Sequence, residues 1–421
     1  MATVPRGELW HRPEKQDIQF WLKFLNSLNW VVENRYIILF NEPNHGREWG
    51  GEVDPENYAK IASHFVKKLK ASNQDYFVML AGFDQVAPQQ PPNYMNQVEF
   101  LRRTFHVSGF TFYSFDGLTS HSYPNPGFSG SPLAIGRGTV KGYEWELEQL
   151  LNLGVTKKLP VFITETGWKR GNEIQVANNF KTVFESVWLP DDRVVAVTPF
   201  ILNYQGEPFL SFSWQKHNES SFYQQYETTQ LILKQAGNPK QIHSFKVISS
   251  LPKELVQDSK FELSWRTQNH GQSIWDWLDG YEFRLTNDPK LKAKFSPLNE
   301  VKPGFKHEAS LFVQTPLKTG IYQNQIGLYK NDELLTTLYD WRVRVIPLLD
   351  IDLSYNLLFN WWDKCTDFQI EIYDANENLV YLKANLKGKQ GKIRLKRVRN
   401  IAVDESYRIV LLKPYYLPRQ T

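Results

Sequence analysis

The alternation of two hydrophobic patterns along the first 240 residues is the feature that most limits the fold. Continuous apolar runs, typical of strands buried on both faces, alternate with stretches in which apolar residues recur at helical spacing. The runs lie at 36–40, 77–81, 117–122, 161–164 and 194–202, and the helical stretches at 14–32, 55–69, 93–106, 139–153, 173–188 and 220–235. Strands separated by helices of this length are joined by crossovers and form a parallel sheet. The pattern therefore predicts an α/β fold, specifically a partial (β/α)8 TIM barrel with five visible strands.

A closed barrel of this type has eight strands, so about three strands are missing on the N-terminal side of 36–40. The segment Ala2-Thr3-Val4-Pro5 is a candidate for the stub of the third. Because an opened barrel has two unpaired edges, we expect the chain to be a fragment whose own activity is in doubt. The N-terminus has no apolar signal core, but an export signal could have been lost with the same residues. We therefore expect the full-length protein to be extracellular or at the cell surface.

From about residue 241 the hydrophobic pattern changes to short alternating segments separated by turn residues. These segments lie at 244–250, 260–266, 280–286, 308–314, 322–330 and 341–346, and they predict an antiparallel sandwich. A second set, at 367–373, 379–384, 391–396 and 407–413, predicts a smaller β module. We expect three domains: a barrel over 1–240, a β-sandwich over 241–347 and a small β domain over 348–421.

Composition excludes several classes of function. A net charge of +4 on 421 residues is too small to indicate binding to nucleic acid or an anionic membrane. No stretch approaches the roughly 18 apolar residues of a membrane-spanning helix. The single cysteine, Cys365, has no second cysteine for a disulfide or zinc motif. Aromatic residues reach 14 %, which suits sugar binding because flat rings pack on pyranose faces, although large β-rich cores explain it equally well.

Two glutamates directly follow two of the predicted strands. Glu42 lies in the segment FNEP after 36–40, and Glu165 lies in ITETGW after 161–164. Residues just beyond the carboxyl ends of barrel strands share one face, so these side chains can converge. Cleavage of a glycoside needs a proton donor for the leaving oxygen and a carboxylate for the anomeric carbon, and this pair fits that need. The alternative is a polar turn after one strand and an acid near a helix at the other.

On these two segments, and over about residues 1–237, the sequence resembles clan A of the retaining glycoside hydrolases, which includes cellulases, mannanases and β-xylosidases. The resemblance implies that Glu42 is the acid/base and Glu165 the nucleophile that forms a glycosyl-enzyme, with carboxyl groups about 5–5.5 Å apart. These roles require a proton on Glu42 and an ionised Glu165 at the same pH. The implied substrate is a β-linked oligo- or polysaccharide, and no cofactor is implied. The alternatives are a non-catalytic glycan-binding or surface protein, and transglycosylation by the same residues.

The resemblance also implies three polar substrate-site residues. Asn41, directly before Glu42, would donate a hydrogen bond to the 2-hydroxyl of the substrate, an interaction that can strengthen in the transition state. His121 and Tyr123, in the segment HSYP, would line the site, with Tyr123 donating a hydrogen bond to the nucleophile. The alternatives are an Asx-type turn at Asn41, a buried and satisfied His121, and a core position for Tyr123.

Three tryptophans follow predicted strands closely. Trp214 lies where the clan keeps a platform under the reacting sugar, and Trp49 and Trp168 would line neighbouring subsites. Each of them is nearly as readily explained by packing in the core. His45 has no second ligand at metal spacing, so we predict no metal and interpret His45 as an ordinary loop residue.

Two features lie in the C-terminal part. Residues 265–281, which include Trp275 and Trp277, resemble immunoglobulin-like modules that accompany bacterial surface enzymes. This resemblance covers about residues 242–347. Buried core tryptophans are favoured over glycan-binding ones. The basic stretch 387–399 could face an anionic polysaccharide, but its alternation is more simply that of a strand with one solvated face. Nothing in the sequence indicates an oligomeric state.

Overall fold

The computed structural model describes residues 2–4, 14–234, 240–286, 291–356 and 365–421. The chain divides into two compact units. The first comprises the residues up to Leu25 together with Val32–Lys240, and the second comprises Asn26–Val31 together with Gln241–Thr421. Among the described helices, none has both the length and the hydrophobicity needed to cross a lipid bilayer.

The first unit is mixed α/β. In chain order its elements are β1 (Ala2–Val4), α1 (Lys15–Ser27), β2 (Arg35–Leu39), α2 (Pro55–Ser72), β3 (Tyr76–Met79), α3 (Gln97–Val107), α4 (Gly109–Ser114), β4 (Leu118–His121), α5 (Gly142–Asn152), β5 (Val161–Glu165), α6 (Glu173–Val183), β6 (Val194–Val197) and α7 (Gln224–Leu231). The sheet β1–β2–β3 and the sheet β4–β5–β6 are each parallel throughout. A single parallel bridge between Met79 and Gly117 links β3 to the residue before β4. The six strands therefore follow one another in sequence order, and the expected stub Ala2–Val4 is the strand next to β2.

Burial on both faces explains the apolar runs. In β2, Ile37 and Leu39 are fully buried, and in β3 so are Val78 and Met79. The helix α2 covers this region with a buried stripe formed by Tyr58, Ile61, Ala62, Phe65 and Leu69. At its start, Oδ1 of Asp54 accepts a hydrogen bond of 2.9 Å from the backbone N–H of Asn57. Such an N-cap satisfies a donor that the first helical turn leaves without a partner.

Three predicted boundaries differ from the structure. The strand expected over 194–202 ends at Val197, although the N–H groups of Thr198 and Phe200 still donate to the carbonyls of Ile163 and Thr166. The helix expected over 220–235 extends only from Gln224 to Leu231. The short helix α4 has too few residues to show a helical period, and the sequence pattern does not predict it.

The second unit consists mainly of strands. They are β7 (Phe245–Val247), β8 (Glu254–Val256), β9 (Lys260–Asn269), β10 (Tyr281–Thr286), β11 (Lys292–Phe295), β12 (Lys306–Gln314), β13 (Gly320–Lys330), β14 (Glu333–Ile346), β15 (Leu349–Ser354), β16 (Phe368–Tyr373), β17 (Leu379–Leu386), β18 (Lys392–Val398), β19 (Arg408–Leu412) and β20 (Arg419–Gln420).

Two four-stranded sheets, β10–β13–β14–β8 and β11–β12–β9–β7, share one hydrophobic core. Trp265 and Trp275 are fully buried in it, whereas Trp277 is 53 % exposed. The strands pair in antiparallel fashion as expected, except that β14 and β8 are parallel. A separate core lies between the sheet β17–β16–β19–β20 and the pair β15–β18. In β18, Ile393, Leu395 and Val398 enter this core while the lysines and arginines of the strand are exposed, so the basic stretch includes a strand with one solvated face.

Candidate active site

Glu42 is held on a tight turn at the carboxyl end of β2. Phe40 and Glu42 both have a positive φ, of 72° and 37°, in the left-handed region that residues with a Cβ adopt at a cost. The Glu42 N–H donates to the carbonyl of Gly82 at 2.9 Å. The buried side chain of Asn44 donates to the carbonyl of Asp84 at 2.9 Å. These contacts fix the turn and therefore the position of the Glu42 carboxyl group.

Glu165 ends β5, and its side chain is 27 % exposed. The phenol of Tyr123 donates a hydrogen bond of 2.9 Å to Oε2 of Glu165. Burial raises the pKa of Tyr123 well above its ordinary value, and the negative charge of Glu165 raises it further. The phenol therefore remains protonated and acts as the donor in its contact with Glu165.

His121, at the end of β4, lies between the two carboxyl groups. Its Nδ1 is 2.8 Å from Oε1 of Glu42, and its Nε2 is 3.8 Å from Oε1 of Glu165. Burial lowers the pKa of His121, but the charges of Glu165 and Glu42, the hydrogen bond to Glu42 and the charge of Glu146 outweigh burial and raise it to about 9. At neutral pH the ring is therefore an imidazolium. The ring fits only because residue 82 is glycine, since a Cβ there would be 2.2 Å from Nε2.

The two glutamates are close to each other. One oxygen of Glu42, one ring nitrogen of His121 and one oxygen of Glu165 all lie within 4.8 Å of one another. Inverting glycosidases separate their carboxyl groups by about 6.5–9.5 Å to admit a water, whereas a separation near 5 Å lets one carboxylate reach the anomeric carbon. The same three atoms could contact a cation. The absence of a metal remains a prediction.

The sequence interpretation missed a second histidine contact. Nε2 of His45 is 2.9 Å from Oδ2 of Asp84, and Nδ1 of His45 is 3.7 Å from Oε2 of Glu42. His45 is thus not an ordinary loop residue. Asp84 follows the strand 77–81, so the rule that selects residues just beyond strand ends could have found it.

A buried acid behind β4 was also missed. Glu146, on α5, is 1 % exposed, and its Oε1 accepts a hydrogen bond of 2.6 Å from Nε2 of Gln97. Burial raises the pKa of Glu146 to about 7, against the opposing effect of hydrogen bonds from Ser120 and Gln97. No sequence pattern indicates this acid. A polar residue on the buried face of a helix only interrupts the hydrophobic pattern of that helix and does not mark a site.

Trp49 was expected to line a sugar subsite, but the structure does not expose it. Trp49 is completely buried, with its ring 5.0 Å from that of Phe40 and 5.4 Å from that of Tyr58, in edge-to-face contacts. Its ring is therefore part of the core and does not line a sugar subsite. Aromatic type and position near a strand end do not determine which way a side chain points.

Trp168 and Trp214 are also mainly buried, at 4 % and 7 % exposure. Both pack edge-to-face on Phe180, each at 5.0 Å, and the indole N–H of Trp168 donates to the carbonyl of Gly130 at 2.8 Å. At most an edge of each ring is free to meet a sugar. Asn41, half-buried beside Glu42, remains a predicted substrate contact.

No known family model matches the sequence, and no curated protein matches it. Solved structures that resemble the chain include an endo-β-1,3-glucanase of family GH128 from Sorangium cellulosum, at 12 % identity over 48 % of this chain and 71 % of that one, with a TM-score of 0.36. An endo-β-1,4-mannanase from Thermotoga petrophila is similar at 12 % identity over 79 % and 72 %, with a TM-score of 0.33. An exo-β-1,3-glucanase of family GH128 from Aureobasidium namibiae is similar at 14 % identity over 54 % and 84 %, with a TM-score of 0.33. These neighbours are glycoside hydrolases, but TM-scores below 0.5 do not define a family for this chain.

Proposed function

We propose that this chain is a retaining glycoside hydrolase of clan A that cleaves a β-linked glycan, with Glu165 as nucleophile and Glu42 as acid and then base. The observation that carries the proposal is the approach of the two carboxyl groups, whose nearest oxygens lie within 4.8 Å. In the first step a Glu165 oxygen bonds to the anomeric carbon while Glu42 gives its proton to the departing oxygen. In the second step Glu42 takes a proton from water, which attacks the same carbon and releases Glu165.

The neighbouring contacts support this division of roles. Tyr123 donates to Oε2 of Glu165, which stabilises the ionised carboxylate and leaves Oε1 for attack. His121 contacts Oε1 of Glu42, which leaves Oε2 for proton exchange with the glycosidic oxygen. The imidazolium also lies beside Oε1 of Glu165, where it favours a carboxylate over a neutral acid.

We also propose the domain assignment that the sequence pattern predicts. Six parallel strands in sequence order support a partial (β/α)8 barrel over residues 1–240. Two sheets around one core support an immunoglobulin-like sandwich over 241–347, and a separate core supports a small β module over 348–421.

The first test is turnover of a panel of chromogenic aryl β-glycosides. We expect hydrolysis of at least one member, and loss of at least 10³-fold in kcat for Glu165→Ala, because no covalent intermediate can then form. Glu148→Ala, which removes an exposed acid on α5, is the matched control and should retain wild-type activity. Binding of glycan without any turnover would instead indicate a non-catalytic glycan-binding protein.

Rescue by azide tests which glutamate has which role. In Glu42→Ala, azide should accept the sugar from the glycosyl-enzyme and give a β-glycosyl azide. In Glu165→Ala, azide should attack directly and give the azide of inverted configuration. The opposite pair of products would show that the two roles are exchanged. Sugar-to-sugar transfer products at high substrate concentration would indicate transglycosylation.

A further inference from the structure

The two oxygens of Glu42 have different surroundings. Oε1 is 2.8 Å from Nδ1 of His121 and is occupied by that contact. Oε2 lies 3.7 Å from Nδ1 of His45, on a different side of the carboxyl group. If Glu42 is the acid/base, Oε2 is the oxygen that exchanges the proton. His45 is therefore a basic group beside the reacting oxygen.

The orientation of the His45 ring is fixed by its other neighbours. Nε2 is 2.9 Å from Oδ2 of Asp84, whose Oδ1 accepts a hydrogen bond of 2.9 Å from the backbone N–H of Val86. The ring also packs edge-to-face on Tyr94, with centroids 4.9 Å apart. Because Asp84 holds Nε2, Nδ1 must face Glu42. The His45 side chain is 22 % exposed, so it exchanges protons with solvent.

On the basis of the proposed function, we propose that Asp84 and His45 are a positioning pair that holds a positive charge beside the reacting oxygen of Glu42. When Glu42 gives its proton to the leaving oxygen, the bond between that oxygen and the sugar breaks and Glu42 becomes a carboxylate. The His45 imidazolium stabilises that carboxylate, so Glu42 donates its proton more readily. Neither His45 nor Asp84 touches the reacting atoms.

The charges around the pair favour this state. Burial lowers the pKa of His45, but the hydrogen bond to Asp84 and the charges of Glu42, Asp84 and Glu48 outweigh burial and raise it. Burial raises the pKa of Asp84, but the hydrogen bonds from His45 and the Val86 N–H, with the charges of His45 and His121, lower it overall. Both shifts favour a His45 imidazolium paired with an Asp84 carboxylate. Tyr94 contacts His45 through an antiparallel backbone bridge and through the edge-to-face contact of its ring.

The coupling between His45 and Glu42 is testable without turnover. In protein labelled at its histidine rings, NMR should follow the titration of His45 and show that the neutral ring keeps its proton on Nε2, toward Asp84, so that the proton gained and lost is the one on Nδ1, toward Glu42. Glu42→Gln should lower the midpoint by roughly one pH unit, the value expected for opposite charges 3.7 Å apart with near-aqueous screening. Asp84→Asn should lower the His45 midpoint by more than Glu42→Gln does. His106→Gln, which changes an exposed residue in the last turn of α3, should leave it unchanged.

Kinetics test the effect on the reaction. With aryl glycosides of graded leaving-group acidity, His45→Gln should lower kcat/KM about tenfold for poor leaving groups and by less than about twofold for the best ones. The slope against leaving-group acidity therefore steepens, and the alkaline limb of the pH profile moves to higher pH. Asp84→Asn should show the same two changes to a smaller extent. If His45 had only a structural role, His45→Gln would lower kcat/KM equally for all substrates and leave the pH profile unchanged.

The outcomes separate the two proposals. If the wild-type chain hydrolyses no glycoside, the proposed function fails, and the NMR titration alone decides whether the pair acts on Glu42. If turnover occurs but the slope and pH profile of His45→Gln match those of His106→Gln, the positioning role is wrong. An unchanged His45 midpoint in Glu42→Gln would overturn it as well.

Discussion

At the scale of single residues, the site depends on the space that one glycine leaves. The ring of His121 contacts both glutamates, and the absence of a side chain at Gly82 allows it to occupy that position. A methyl group at this position would overlap the ring, which is itself enclosed at 4 % exposure. In such close-packed surroundings an added methyl group can be accommodated only if a neighbouring side chain moves.

We predict that Gly82→Ala disrupts the glutamate pair. The methyl group should push His121 away from Glu42 and lower kcat/KM by about 10²-fold, with a loss of about 1–3 kcal/mol in the free energy of unfolding from overpacking. Gly171→Ala is the matched control, since no atom lies within 4 Å of its added Cβ, and it should behave as wild type. Activity and denaturant unfolding, measured on both variants, check the prediction. Full activity in Gly82→Ala would mean that the ring position does not matter.

At the scale of elements, helix α2 shows how a local signal in the sequence specifies a boundary. Asp54 followed by Pro55 predicts an N-cap and a first helical residue, and the structure has both. The aligned backbone at the start of a helix has no internal partners, so the Asp54 carboxylate replaces water there.

Asp54→Ala should lower the free energy of unfolding by about 1 kcal/mol, because the N–H of Asn57 loses its acceptor. Asp192→Ala removes an exposed carboxylate outside the helices and serves as the control, with an expected change below about 0.5 kcal/mol. Thermal unfolding of the two variants side by side measures the difference. Equal melting temperatures would contradict a stabilising role for the cap.

The elements also show how far the sequence can specify this site. Strand runs and helix stripes are local, because burial on two faces or on one stripe imposes a period, and residues after strand ends can be identified directly. Glu42 and Glu165 are found in this way. The direction of a side chain is not local: Trp49 and Trp168 both follow strand ends, where substrate contacts are expected, and yet Trp49 packs on Phe40 and Trp168 on Phe180. The His45 contact depends on Asp84, 39 residues further along the chain, so tertiary structure alone reveals it.

At the scale of the whole molecule, buried ionisable groups beside β4 make the free energy of unfolding depend on pH. The pKa of Glu146 rises from 4.5 to about 7 on folding, so between these pH values the native state keeps a proton that the unfolded state has lost. Stability must fall as pH rises through this window. His121, with a pKa raised from 6.5 to about 9, is more protonated in the native state. Its contribution is complete below pH 6.5 and is also lost as pH rises.

Glu146→Gln should remove the first of these two losses. A shift of this size corresponds to about 3 kcal/mol between pH 4.5 and 7, and a glutamine carries no charge to desolvate. Hydrogen exchange of the β4 and α5 amides, corrected for the intrinsic effect of pH, reports on the first unit alone. The wild type should lose protection between pH 5 and 6.5, below the range in which the His121 contribution is lost, while Glu146→Gln should not, and Glu148→Gln, exposed on the same helix, should follow the wild type. If Glu146→Gln also followed the wild type, the buried carboxyl could not be the group that titrates.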